Sequence, residues 1–145
     1  MFKKFPYPSG FFDATYCFQA IYHGTLENIL FTLSEMKRVT KKGGLVFLTF
    51  LPYEANYYDK KSKKHFIYVY SGKKGVLKKS YMRQIPTQPH LFYFLGGWEP
   101  RVPHYFSSKE ELKCMLNQFF REVKLKKVRK KDSDKWFFWL ASCKV

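Results

Sequence analysis

The chain has 145 residues, 46% hydrophobic and 21% aromatic, enough for one domain with a core of its own, and this composition excludes a disordered polymer. No apolar run approaches the roughly 20 residues that a membrane-spanning helix needs, and the N-terminus lacks a signal-peptide pattern. The net charge of +16 invites an anionic partner, yet the lysines run from Lys3 to Lys144, as on a solvated surface.

In chain order, residues 1–10 read as a loop held extended by Pro6 and Pro8. Residues 12–19 are a short β-prone run with Asp13 near its head. Gly24 closes the following loop, Thr25 suits an N-cap, and Glu27 faces the positive end of the helix dipole. Leu26, Ile29, Leu30, Leu33, Met36 and Val39 then share one face of a helix. Lys37, Arg38, Lys41 and Lys42 crowd its last turn, and Gly43 supplies a left-handed stop. Residues 45–51 form a continuous apolar run, as expected of a strand covered on both faces. Strand, helix and strand make one βαβ crossover, which predicts a parallel α/β sheet.

From residue 52 to 102 the periodicity dissolves. Tyr53, Tyr57 and Tyr58 precede a lysine cluster, residues 65–70 are strand-like, and Gly72 and Gly75 flank a lysine pair that reads as a turn. Pro86 and Pro89 interrupt the next segment, and residues 90–97 are aromatic. Fifty residues without a helix are long for a connection, and such loops are commonly lids or binding loops. Tyr93, Phe94 and Trp98 either line an apolar pocket there or patch a small core. Ser108 with Glu111 is a capping box, opening a helix whose buried face is Leu112, Met115, Leu116 and Phe119. Residues 122–128 alternate as a half-wet strand, 130–134 are a polar turn, and 136–145 are an apolar strand returning antiparallel.

Cys17, Cys114 and Cys143 are odd in number and far apart, so they suggest neither a disulfide nor a metal site; free thiols point to the cytoplasm. Phe18, Gln19, Tyr22 and His23 follow the first strand, and open parallel sheets bind ligands beyond the carboxyl ends of their strands. A histidine there can accept a proton from a nucleophile, or steady the helix start beside Gly24.

Three motifs carry a resemblance: the loop Phe5-Pro6-Tyr7-Pro8, the strand start Phe12-Asp13, and the helix end Arg38-Val39-Thr40-Lys41-Lys42-Gly43-Gly44. Together they resemble the middle of a class I S-adenosylmethionine-dependent methyltransferase of the type 11 kind, from its fourth strand to its fifth. Lys42 stands where that family usually has proline. The family's cofactor pocket rests on a Gly-rich turn after its first strand and an acid after its second. Neither occurs in these residues, so the expectation is the C-terminal part of the domain: a truncated product, a fragment or one half of a split enzyme.

The fold this implies is α/β, a partial Rossmann-like methyltransferase fold in three layers. Its mostly parallel sheet ends in an antiparallel hairpin, the family strands lying in the order four, five, seven, six. Residues 1–145 form a single truncated methyltransferase domain: 1–51 are loop, strand, helix and strand, 52–102 the substrate lid, and 103–145 the helix and terminal hairpin. The implied activity is methyl transfer from S-adenosylmethionine to a small-molecule acceptor. The resemblance assigns cofactor contacts to Phe2, Phe18 and Gln19, with Phe18 at the methionine end and the Phe2 backbone near the adenine. It points His104 at the mouth of the active site, unless that histidine packs the helix entry instead; beside it, Tyr22, Tyr93 and Trp98 are the candidate substrate contacts and His23 the candidate catalytic base. The implied partners are a complementary N-terminal half or a second copy of the chain. Two rivals stand beside this reading: a non-catalytic module that completes or regulates a partner, and a basic protein that binds RNA or DNA.

Overall fold

The computed structural model describes residues 3–71, 76–96, 99–129 and 137–145. Its first three elements, β1 (Phe12–Cys17), α1 (Leu26–Val39) and β2 (Thr40–Pro52), make the expected crossover, with β1 and β2 parallel. The Thr25 hydroxyl accepts the Asn28 N–H at 3.4 Å and caps α1. Ile29, Leu33, Met36 and Val39 are buried along one face, while Leu26 at the start is exposed. The helix ends earlier than the glycines suggest. Thr40 is already extended and its hydroxyl donates to the Met36 carbonyl at 2.7 Å. Gly43 does adopt the left-handed backbone, with φ 81°, but inside a bulge of β2 between the pairings of Thr40 and Leu45. Gly44 is held bare by crowding: a Cβ there would sit 2.7 Å from the Asp13 carbonyl of β1.

The described part of the segment read as a lid, with the strand just beyond it, forms an antiparallel meander. After a 3-10 turn at Tyr53–Ala55 come β3 (Tyr57–Asp59), β4 (Lys64–Ser71), β5 (Val76–Ile85), β6 (Gln88–Phe94) and β7 (Pro103–Ser107), each paired with the next. Helix α2 (Lys109–Asn117) follows with the full Ser108–Glu111 capping box. Strands β8 (Arg121–Arg129) and β9 (Phe137–Lys144) form the terminal hairpin, whose turn lies outside the described residues.

The sheet runs β3-β4-β5-β6-β7-β2-β9-β8, with β1 also on β2. β9 lies antiparallel between β2 and β8, so the spatial order β1-β2-β9-β8 matches the order expected of the four family strands. The sheet as a whole corrects the expectation of a mostly parallel one. Among the described residues only β1–β2 and β2–β7 pair in parallel, and the other six pairings are antiparallel. The physical reason is that a meander joined by short turns can pair only antiparallel.

The three-layer expectation is corrected as well. Val46, Leu48 and Phe50 of β2 and Trp139, Ala141 and Cys143 of β9 form one core with Ile29, Leu33 and Met36 of α1 and Leu112, Met115 and Leu116 of α2. Both helices therefore cover the same face. The opposite face carries Ala14, Tyr16, Leu45 and Phe47, placed there by the pairings Ala14–Leu45 and Tyr16–Phe47. Tyr16 is 74% exposed and Leu45 45%, so β2 is not the doubly covered strand that its apolar run suggests. A second core, with Tyr22, Leu51, Ile67, Met82, Phe92 and Phe106, joins the meander to β2.

An ion pair clamps the N-terminal loop to α1. The Glu35 carboxylate accepts from Arg38 Nε and Nη2 at 2.8 and 2.7 Å and from the Phe5 N–H at 2.8 Å. Arg38 also donates to the carbonyls of Tyr7 and Phe5. The Arg38 hydrogen bonds, then the Phe5 amide, hold the Glu35 carboxyl down at about 2, against 4.5 ordinarily. A depressed carboxyl contributes stability above its unfolded value and loses it as pH falls through the folded one. Glu35→Gln should therefore lower the urea midpoint at pH 7, and the gap from the parent should close between pH 4.5 and 2. A gap that persists unchanged at the acid end would show that the carboxylate's charge is not what holds the loop.

Candidate functional site

The site forms where β1 ends. Past Cys17 the chain turns sharply, and Gln19 takes a left-handed backbone, φ 52°, uncommon outside glycine and seen where a turn is over-determined. Its N–H donates to Thr49 Oγ1 at 2.6 Å, which fastens the turn to β2. The Tyr105 N–H donates to the Tyr22 carbonyl at 2.8 Å and fastens the rest of the loop to β7. That single bond carries His23 to His104, the neighbour of Tyr105. The two imidazoles meet edge to face, 4.6 Å between centroids.

Glu99, on the connection between β6 and β7, joins them. Its Oε2 lies 3.1 Å from His104 Nε2 and 3.5 Å from His23 Nε2. His104 Nδ1 lies 2.8 Å from the Val102 carbonyl. A carbonyl only accepts, so Nδ1 carries the proton and the neutral tautomer leaves Nε2 bare toward Glu99. Phe94 closes over His104 at 4.6 Å, and Tyr22 packs on His23 at 4.5 Å. The side chains are graded in depth: His104 is 3% exposed, His23 20% and Glu99 46%. Burial pushes the His23 pKa below the usual imidazole value, with Glu99 opposing. Burial, and then the charge of His23, do the same to His104 against the pull of the Val102 carbonyl and Glu99. Burial thus favours the neutral form of both rings, which can accept a proton, and Glu99 can stabilise the cation that results.

Of the residues expected at the site, the structure brings His23, His104 and Tyr22 together. Tyr22 is only 5% exposed, and its ring belongs to the second core. Phe18 stands 51% exposed just past β1, stacked on Tyr16 at 5.5 Å, with exposed Gln19 beside it. Tyr93 does not join the cluster. It alternates to the other face of β6 from Phe92 and Phe94, and Phe94 occupies the place beside His104. Phe2 and Trp98 lie outside the described residues. Glu99 was missed, although the sequence marks it: it is the only acid between Asp59 and Glu110, in an otherwise basic stretch. The histidines were readable singly, but no spacing rule joins positions 23, 99 and 104.

Comparison with known proteins bears on the fold. Residues 1–48 match the family described as a methyltransferase domain. No curated protein sequence matches the chain. The structure of Burkholderia thailandensis 1,6-didemethyltoxoflavin-N1-methyltransferase, with 1,6-didemethyltoxoflavin and S-adenosylhomocysteine bound, aligns with a TM-score of 0.57 at 11% identity. That alignment covers 94% of this chain and 44% of that one. A SAM-dependent methyltransferase from Methanosarcina mazei aligns with a TM-score of 0.56 at 13% identity, covering 97% and 62%. A SAM-dependent methyltransferase from Thermotoga maritima aligns with a TM-score of 0.51 at 15% identity, covering 97% and 59%. The chain therefore spans between 44% and 62% of the length of these three structures. Residues 1–48 carry the sequence pattern of the methyltransferase domain, and the chain as a whole shares the fold of SAM-dependent methyltransferases.

Proposed function

We propose that these residues serve S-adenosylmethionine-dependent methyl transfer to a small-molecule acceptor, acting with a polypeptide segment that supplies the Gly-rich turn. The observation that carries the reading is the convergence of His23, His104 and Glu99 at the carboxyl end of β1, within a methyltransferase fold. The cofactor supplies an electrophilic methyl group. On this chain, Phe18 and the strained turn at Gln19 form the wall that faces its methionine end. His23 Nε2 takes the proton that leaves the acceptor's oxygen or nitrogen as the methyl arrives, and Glu99 steadies the imidazolium so formed. The β3–β6 meander, with Phe94 over His104, gives the acceptor its apolar surround.

The same reading places the protein in the cytoplasm, supported by three unpaired cysteines; no described helix is long and apolar enough to cross a membrane. The bare sheet face supports a second reading, a module that completes a partner without doing chemistry itself. Labelled-methyl transfer separates the two. The chain should be combined with a methyltransferase segment carrying the Gly-rich turn and offered a metabolite extract. His23→Ala should lower turnover by about 10²–10⁴-fold, the usual worth of a general base, and leave cofactor affinity unchanged. Transfer undiminished in His23→Ala would remove the base from the mechanism, and no transfer with any complement would favour the module.

A further inference from the structure

The geometry points to a divalent transition-metal site, of the zinc class, held by His23 Nε2, His104 Nε2 and Glu99 Oε2. The cysteine count gave no hint of it, because none of the three ligands is a cysteine. It rests on the placement of these three side chains alone, and it is an alternative use of them, because an ion on His23 Nε2 takes the lone pair that would otherwise accept the acceptor's proton.

His104 Nδ1–H donates to the Val102 carbonyl, so Nε2 is the nitrogen that faces the Glu99 carboxylate oxygen, 3.1 Å away. Two acceptors at that distance repel unless a proton or a cation lies between them. His23 Nε2 lies 3.5 Å from the same oxygen. A tetrahedral zinc ion with bonds of about 2.0–2.2 Å holds its ligand atoms about 3.4 Å apart. The two measured separations bracket that value, and all three ligand atoms lie within 4.8 Å of one another.

The surroundings fit as well. A metal-bound histidine characteristically donates its second nitrogen to a carbonyl or carboxylate, as His104 does to Val102. Phe94 and Tyr22 wall the rings with apolar surface, whereas Glu99 is nearly half exposed and gives an ion a way in. Two imidazoles and one carboxylate select zinc, cobalt or nickel over magnesium and calcium, which favour oxygen. Three protein ligands leave a fourth position open.

Cobalt(II) titration of the purified 145-residue chain, without cofactor, tests this directly. One ion per chain with the visible absorption of tetrahedral cobalt is expected, displaced by zinc and not by excess magnesium. Glu99→Gln and His23→Ala should each weaken binding by at least about tenfold. Both positions are partly exposed, so the variants should keep the parent's circular dichroism. A His65→Ala/His90→Ala/Cys114→Ser variant, altering donors elsewhere, should bind as the parent does. No binding at micromolar zinc, displacement by magnesium, or full affinity in both Glu99→Gln and His23→Ala would overturn the site. Because no methyl donor is present, failure here leaves the methyl-transfer reading to its own assay.

Discussion

Titrated with S-adenosylmethionine, the 145 residues on their own should show no saturable binding at micromolar concentrations. They contain no Gly-x-Gly-x-x-Gly turn, and their eight glycines are scattered or fall in the pairs Gly43-Gly44 and Gly96-Gly97. In the Rossmann-like arrangement that turn brings backbone amides to the ligand, and a separate acid holds the ribose hydroxyls. In the proposed reading the chain offers one wall: exposed Phe18, the Gln19 turn and the loop that ends at His23. Two hydrogen bonds involving charged groups are worth roughly 1.5–3 kcal/mol each. Losing both moves a micromolar site, about −8 kcal/mol, into the millimolar range or beyond. Calorimetry should give a flat trace with the chain alone and a saturable one once a polypeptide carrying the turn is added. If Phe18 faces the methionine end as proposed, Phe18→Asp should then weaken the restored binding by setting a carboxylate there. Low-micromolar saturation by the chain alone would mean that another site replaces the turn.

Much of this architecture was legible because it is local. The α1 face, the Thr25 cap, the Ser108–Glu111 capping box and the terminal hairpin each announce themselves within a few residues. The meander did not, because its strands mix lysine and tyrosine with short apolar pieces. Val69 pairs with Lys78 and Tyr68 with Lys79, so neither period is clean. β2 misled for the opposite reason. A run of seven residues, six of them apolar, reads as doubly covered, yet the covering of its second face is not encoded in the run itself. The site was half legible. His23 and His104 were found from their places relative to strand and helix, but the Tyr105–Tyr22 hydrogen bond that unites them spans most of the chain. Glu99 sits on a connection, where charge in isolation was the one available sign.

In solution the chain should self-associate despite its charge. β1 pairs with β2 along one edge only, and among the described residues nothing pairs with its other edge, which leaves N–H and C=O groups free to template another strand. Beside that edge lie Tyr16 and Phe18, stacked on each other and 74% and 51% exposed, and Leu45 of β2 is exposed on the same face as Tyr16. An apolar patch on an exposed strand edge is the arrangement that natural sheets avoid or cover. The opposing force is electrostatic: a net charge of +16 repels a second copy at long range, and salt screens that repulsion within about 8–10 Å. Sedimentation velocity should therefore show a concentration-dependent dimer that strengthens as salt is raised, the reverse of what an ion-paired interface would do. Tyr16→Lys with Phe18→Lys removes two aromatic contacts worth about 1.5–3 kcal/mol each, so association should weaken at least ~100-fold. Both side chains are exposed, so the double variant should fold as the parent does. A parent chain that sediments as a single monomeric species at high concentration and high salt would show that this edge is protected by some other means.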